Sequence, residues 1–232
     1  MTPPAANPAT RTATTSTASH PEYLEALYEM AEEGIPTVQV RLAQWMGVSA
    51  GAVSQAVKKL LAQGLIRAEG RELRFTAAGE DVAEHLVRRH RLAEHFLIRI
   101  IGLPWHKAHE EAERWERVIS DDVELRLITI LDDPATCPHG NPIPGSSHPV
   151  DYSKLVPLRD LGPGRKGVLR RLTEDLELDL DVMRFFEDSG LMPGGRVLVE
   201  RVGPDGTMQL RVDGKGVALG AHLSDNLWVQ LA

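Results

Sequence analysis

The stretch Thr37–Phe75, TVQVRLAQWMGVSAGAVSQAVKKLLAQGLIRAEGRELRF, decides the N-terminal fold. Thr37 reads as the N-cap of a helix carrying Val40, Leu42, Ala43 and Met46, with Gly47 closing it. Ser49 opens the next helix, whose Val53, Val57, Leu60 and Leu61 share one face and which Gly64 ends. Leu65-Ile66-Arg67 and Leu73-Arg74-Phe75 flank a charged turn at Glu69-Gly70-Arg71, a two-stranded hairpin. A helix upstream, with Tyr23, Leu24, Leu27, Tyr28 and Met30 apolar, completes the order helix, helix, turn, helix, β-wing.

Ser49-Ala50-Gly51-Ala52-Val53-Ser54-Gln55 is suited to a nucleic-acid groove. Small residues such as Gly51 and Ala52 allow close approach, Ser54 and Gln55 carry groups for base edges or phosphates, and a helix N-terminus favours anionic oxygen. Lys58 and Lys59 on the next turn, with Arg67 and Arg71 in the wing, are candidate phosphate contacts. The blander alternative is a three-helix packing module with a polar surface.

Charge separates these alternatives in part. The 232 residues hold 33 acidic and 26 basic side chains, a net of −7, which argues mildly against a polyanionic partner. The excess acid is local, however. Residues 41–71 carry Arg41, Lys58, Lys59, Arg67 and Arg71 against Glu69 alone, whereas 76–133 and 167–232 are acidic. A basic island in an acidic chain is the footprint of a nucleic-acid-binding module.

Downstream, Thr76 caps a long helix running toward Ile100, with Ala83, Leu86, Val87, Leu92, Phe96 and Leu97 apolar. After Gly102-Leu103-Pro104 a further helix is expected from about Trp105 to Leu131. Five prolines between Asp132 and Ser153 mark a linker. Short β-like runs at 155–158, 168–172, 197–202, 208–212 and 228–231, interrupted by a helix near 179–189, suggest a small barrel. The expected organisation is a disordered tail over 1–19, a DNA-binding domain over 20–75, a helical domain over 76–131, the linker over 132–153 and a barrel over 154–232. The fold class is mainly α with a small β part. One cysteine, Cys137, precludes an internal disulfide and fits a reducing cytoplasm, and no apolar run is long enough to span a bilayer.

Acidic and imidazole side chains recur at helical spacing: Glu22 and Glu25, His90 and Glu94, and His109, Glu113 and Glu116. Carboxylate with imidazole suits Mn²⁺, Fe²⁺ or Zn²⁺, although glutamate-rich helices are more often simply solvated. Cys137-Pro138-His139-Gly140, in the expected linker, offers a soft ligand to close a site. His85, His95 and His106 read as surface or packing residues. An enzyme is a weaker reading, because the chain lacks G-x-S-x-G, H-E-x-x-H and a phosphate-cradling glycine loop. A third reading is a winged-helix regulator that senses a small molecule through its barrel.

Taken together, Tyr23–Tyr28, Ser49–Gln55, Arg89–Glu94, Ile100–Leu103, His109–Glu116, Ser120–Glu124 and Gly140–Gly145 make the chain resemble the diphtheria-toxin-repressor family of metal-dependent transcriptional regulators. The resemblance implies a winged helix-turn-helix, a helical dimerisation and metal-binding domain, and an SH3-like (FeoA-like) C-terminal barrel. It implies a homodimer on a palindromic DNA operator, with Mn²⁺, or alternatively Fe²⁺, as corepressor. By position it implies Glu22, Glu113 and Glu116 as primary ligands, joined by Glu25 and His90 in manganese-type members, with Cys137 as an added ligand. Glutamates at 22 and 113, hard donors, point toward Mn²⁺. An ancillary site would use His90, Glu94 and His109 with a barrel residue, Asp179 or Asp181. Arg117 stands where the family has a histidine ligand, and a guanidinium cannot coordinate. The implied switch is an ion that joins Glu22 to Glu113 and Glu116 and so sets the spacing of the two recognition helices.

Overall fold

A computed structural model describes residues 19–231; the tail expected over 1–19 therefore lies almost wholly outside the described residues. The chain forms two compact units that meet after Glu84, and each is described by itself.

The first unit contains α1 (Pro21–Glu32), α2 (Gln39–Trp45), α3 (Ala50–Ala62), the hairpin β1 (Ile66–Glu69) and β2 (Glu72–Phe75), and the first turns of α4 (Ala77–Phe96). Its core is the apolar periodicity made solid: Leu24, Leu27 and Met30 meet Leu42, Val53, Val57, Leu60, Ile66 and Leu73. The expected cap at Thr37 is corrected. Val38 is the N-cap of α2, while Thr37 is stitched to the wing through its hydroxyl, which donates to Leu73 O at 2.8 Å, and through its carbonyl, which accepts from Leu73 N at 2.8 Å. A hydroxyl that satisfies a buried strand carbonyl does more than one that caps an exposed helix end. Thr76 caps α4 as expected, accepting from Gly79 N at 3.1 Å. Gly79 lets α4 press onto the end of α3, since a Cβ there would lie 1.7 Å from Leu65 O.

In the second unit α4 ends in a wide π-type turn, Leu97–Ile101, that Gly102 terminates with φ +80°. The single helix expected from Trp105 to Leu131 is instead two, α5 (Ala108–Trp115) and α6 (Asp121–Leu131). Ser120 is the reason. Its side chain accepts from Val123 N at 3.4 Å, and Asp121, Asp122 and Glu124 fill the first turn, so a strong N-terminal signal overrides a continuous apolar stripe.

The proline-rich segment is not an exposed linker. Cys137, His139, Asn141 and Ile143 are buried in it. Its backbone closes on itself through Cys137 N to Asn141 O at 2.7 Å and docks on β4 through Leu172 N to His139 O at 3.1 Å. Gly140, at φ +97°, makes this possible, because a Cβ there would sit 2.0 Å from Arg170 O. Proline and glycine here build a rigid strap instead of a tether.

The barrel region is one six-stranded antiparallel sheet in the order β3-β8-β4-β5-β6-β7. The strands are β3 (Leu155–Pro157), β4 (Lys166–Leu172), β5 (Arg196–Val202), β6 (Met208–Val212), β7 (Lys215–Leu219) and β8 (Leu227–Leu231). Bulges in β4 and β5 bend it. Short helices α7 (Glu174–Glu177), α8 (Leu180–Ser189) and α9 (Ala221–Asp225) are inserted, and Phe186 of α8 packs into a core with Leu169, Leu172, Val199, Leu210 and Val229. The strand β7 was hidden from the sequence by its flanking glycines.

Candidate metal centre

Four segments of the second unit converge. Buried helix α4 presents His90 and Glu94 one turn apart, and α5 presents His109. The strap presents Cys137 and His139, and α7, just past β4, presents Glu174 and Glu177. Ligand atoms of Glu94, Cys137 and His139 all lie within 4.8 Å of one another, as do those of His90, Glu94 and His109, and those of His109, Glu174 and Glu177.

The distances are short. His139 Nδ1 is 2.7 Å from Glu177 Oε2 and 3.1 Å from Glu94 Oε1, and His109 Nδ1 is 3.3 Å and 3.5 Å from the same two oxygens. Yet Glu94 Oε1 and Oε2, Glu177 Oε2 and both ring nitrogens of His139 have no partner aligned for a hydrogen bond among the described residues. Buried polar atoms are almost always paired. Donor atoms that crowd together without pointing at each other's protons fit a cation placed among them. The remaining groups aim the donors. Asn141 Nδ2 donates to Glu177 Oε1 at 2.8 Å, and Arg171 Nε donates to Asn141 Oδ1 at 2.6 Å, which turns Glu177 Oε2 toward the imidazoles. Arg91, fully buried, donates to Glu174 Oε1 at 2.5 Å.

Electrostatics follow from this crowding. Burial pushes Glu94 up, but His139, His109 and His90 outweigh it and hold the carboxyl well below the usual range. Glu177 is likewise lowered, by His139 and His109 against burial. Burial disfavours the imidazolium of His109, yet the adjacent Glu177 and Glu94 carboxylates raise it to about 10. His139 is raised well above its ordinary value against the same burial, by Glu177 and Glu94. Burial, then Glu94, pushes the Cys137 thiol up to about 12. Without a cation the centre therefore holds its protons as internal counterions.

Other residues fall as follows. His90 Nδ1 is 2.8 Å from Glu116 Oε2, so Glu116 shares the buried face of α4. Glu113 is half exposed, with its carboxylate 3.8 Å from His109 Nε2. Arg117 Nε lies 3.5 Å from Glu116 Oε1, pairing with a carboxylate instead of replacing a ligand. Glu22 and Glu25 stand on α1 of the first unit, Glu22 with its carboxylate 3.3 Å from His20 Nδ1. Asp179 is corrected: it is exposed and caps α8, accepting from Asp181 N and Val182 N at 3.0 and 3.1 Å. Asp181 is exposed too, and the barrel side chains in the cluster are Glu174 and Glu177. The sequence reading missed both, since nothing in Glu174-Asp175-Leu176-Glu177 distinguishes it from a solvated turn.

In the first unit Gly51, Ala52, Gln55, Lys58 and Lys59 line the exposed face of α3, with Ser54 half-buried beside them. Ser49 is committed as the N-cap, accepting from Ala52 N at 3.2 Å. Arg71 is exposed at the tip of the β1–β2 turn, whereas Arg67 is tied to Glu69 and Phe75 O.

Comparison with known proteins bears on both surfaces. Three family models match end to end: the iron dependent repressor N-terminal DNA binding domain over residues 16–72, the iron dependent repressor metal binding and dimerisation domain over 76–145, and the FeoA domain over 156–231. The iron-dependent repressor IdeR of Mycobacterium tuberculosis (strain ATCC 25618 / H37Rv) is 40% identical over 202 residues, which cover 83% of this chain and 87% of that protein. The diphtheria toxin repressor of Corynebacterium diphtheriae is 35% identical over 217 residues, covering 90% and 95%. A solved manganese-dependent transcriptional repressor in complex with manganese superposes with a TM-score of 0.79 at 31% identity, over 91% of this chain and 99% of that one. ScaR with bound Zn²⁺ superposes at 0.73 and 29% identity, over 91% and 98%.

Proposed function

We propose a cation-gated mechanism from one premise: the chain belongs to the iron-dependent repressor, or diphtheria-toxin-repressor, family. It is a metal-dependent, DNA-binding transcriptional repressor with a dimerisation domain, and not an enzyme.

The proposal is that Glu94, His109, Cys137, His139 and Glu177 hold one divalent cation within the second unit. The observation that supports it is the set of buried Glu94, Glu177 and His139 atoms 2.7–3.1 Å apart without hydrogen-bond alignment. The bound cation would supply the positive charge that the protons of His109 and His139 otherwise provide. Those imidazoles then bind as neutral rings, and Cys137 as thiolate. Mn²⁺ is proposed as the physiological ion, with Fe²⁺ as its alternative. Glutamate in place of softer donors at positions 22 and 113 favours the harder ion, while the imidazoles and Cys137 accept either.

His90, Glu113 and Glu116 are proposed to serve a second ion of the second unit, with the assignments of Glu22 and Glu25 resting on their sequence positions alone. Arg117, beside Glu116, is proposed to lower the affinity of that site. The exposed face of α3, Gly51, Ala52, Ser54, Gln55, Lys58 and Lys59, is proposed to enter the major groove of a palindromic operator, with Arg71 on the flanking phosphate. A cytoplasmic location accords with this role; no helix among the described residues is long and apolar enough to cross a membrane.

Crystals grown with Mn²⁺ and measured at its absorption edge test the ligand assignment. An anomalous peak is expected within coordination distance of Glu94, His109, His139 and Glu177. Peaks confined to surface carboxylates, with the cluster closed by ordinary hydrogen bonds, would refute it.

A further inference from the structure

The strap that carries Cys137 and His139 is held from outside the cluster. Trp105, in the turn between α4 and α5, is buried, and its indole N–H donates to Pro138 O at 3.2 Å, the carbonyl between the two ligating side chains. Its ring stands edge-on to the His139 imidazole, with centroids 4.6 Å apart. Trp105 is fixed in turn by one side chain of α8. Trp105 N donates to Glu187 Oε1 at 3.3 Å, His106 N donates to Glu187 Oε2 at 3.1 Å, and the His106 imidazole pairs with the same carboxylate. Glu187 sits one residue from Phe186, which is locked in the barrel core.

From this we propose that Trp105, anchored by Glu187, is a positioning residue for the cation centre: it sets the height and ring angle of His139 and the position of Cys137, and so ties ion affinity to the seating of α8. The inference rests on the reading that Cys137 and His139 bind the ion. The choice of tryptophan is specific, because the position needs both an apolar ring to fill the barrel core and an N–H to satisfy Pro138 O. Phenylalanine supplies only the first. Outer groups that orient metal ligands typically change affinity by about 10–100-fold.

Cys137 is the chain's single cysteine, so a thiolate-to-Co²⁺ charge-transfer band reports this centre and no other. The experiment is a Co²⁺ titration of the full chain followed by that band, with wild type, Trp105→Phe, Glu187→Ala and Glu187→Gln compared, and the thermal melt of each metal-free protein as a folding control. Trp105→Phe and Glu187→Ala are expected to shift the band's midpoint about tenfold toward higher Co²⁺. Glu187→Gln, which retains an acceptor, should fall between them and wild type. An unmoved midpoint in Trp105→Phe overturns the proposal. If Trp105→Phe does not fold, Glu187→Ala decides, and a wild-type midpoint there overturns it equally. Absence of the band in wild type would remove Cys137 from the ligand set and the proposal with it, but would leave metal-dependent DNA binding, which is read separately, untouched.

Discussion

Binding of a divalent ion should expel a countable number of protons. In the metal-free protein His109 keeps its proton up to about pH 10, Cys137 keeps its proton up to about 12, and His139 titrates well above an ordinary histidine. At pH 7 all three are protonated, and all three must lose the proton to ligate. Displacing the proton of His109 at pH 7 costs about 4 kcal/mol, and that of Cys137 about 7 kcal/mol, taking 1.36 kcal/mol for each unit between pH and pKa. Carboxylate ligands add nothing, being ionised already at neutral pH. The sign follows from the raised imidazole values. The ion pairs of His109 with Glu94 and Glu177 stabilise the metal-free fold fully below pH 6.5 and are lost as pH rises through about 10. Metal competes with those same protons, so its apparent affinity rises with pH through that window. Each proton changes the apparent Kd about tenfold per pH unit, and three give about a thousandfold. Isothermal calorimetry with Mn²⁺ at pH 7, repeated in buffers of different ionisation enthalpy, counts the protons directly. The expected count at this centre is about three, falling by one in Cys137→Ser and by one in His139→Gln. A wild-type count below one would refute the reasoning, whatever the affinity.

Three further outcomes follow. Glu124 is buried and accepts from Arg88 Nη1 at 3.0 Å and Arg89 Nε at 2.7 Å, so Glu124→Ala leaves Arg88 with Pro144 O and Arg89 with Asp121 as their remaining partners and should cost about 1–3 kcal/mol in denaturant unfolding. On DNA, Lys58→Ala should weaken binding to all sequences and reduce the salt slope by about one, whereas Gln55→Ala should cost about 1–3 kcal/mol on the preferred site alone; anisotropy across a salt series separates the two. Val118 and Leu125 are 80% and 62% exposed in the dimerisation domain, so Val118→Glu with Leu125→Glu should shift sedimentation toward monomer without changing the metal-free melt.

The sequence made the first unit legible almost in full, because an amphipathic helix and a two-residue hairpin turn are local signals. It misled where local signals competed. The apolar stripe from Ala108 to Ile130 runs straight across a helix break, and only the Ser120-Asp121-Asp122 cap marks it. Thr37 looks like a cap and is instead a strand-edge donor. The prolines of 132–153 suggest a tether, since their rigidity reads the same whether the segment is solvated or strapped onto β4. His90, Glu94 and His109 were legible as candidate ligands because two of them repeat along one helix face and the family pattern supplies the third. Glu177 was not, because its approach depends on the end of β4 and on Asn141, a contact 36 residues away in sequence. Asp179, two residues further on, drew the assignment and turned out to be the cap of α8.

The decisive measurement is selection of duplexes from a randomised DNA pool by the full chain, once with Mn²⁺ and once with chelator, followed by anisotropy on the selected duplex with wild type and Glu94→Ala. The mechanism predicts one enriched, two-fold symmetric sequence with Mn²⁺ and none with chelator, and loss of metal-dependent binding in Glu94→Ala while the protein still folds. Equal enrichment with and without metal, or a Glu94→Ala protein that binds with wild-type Mn²⁺ dependence, would contradict it.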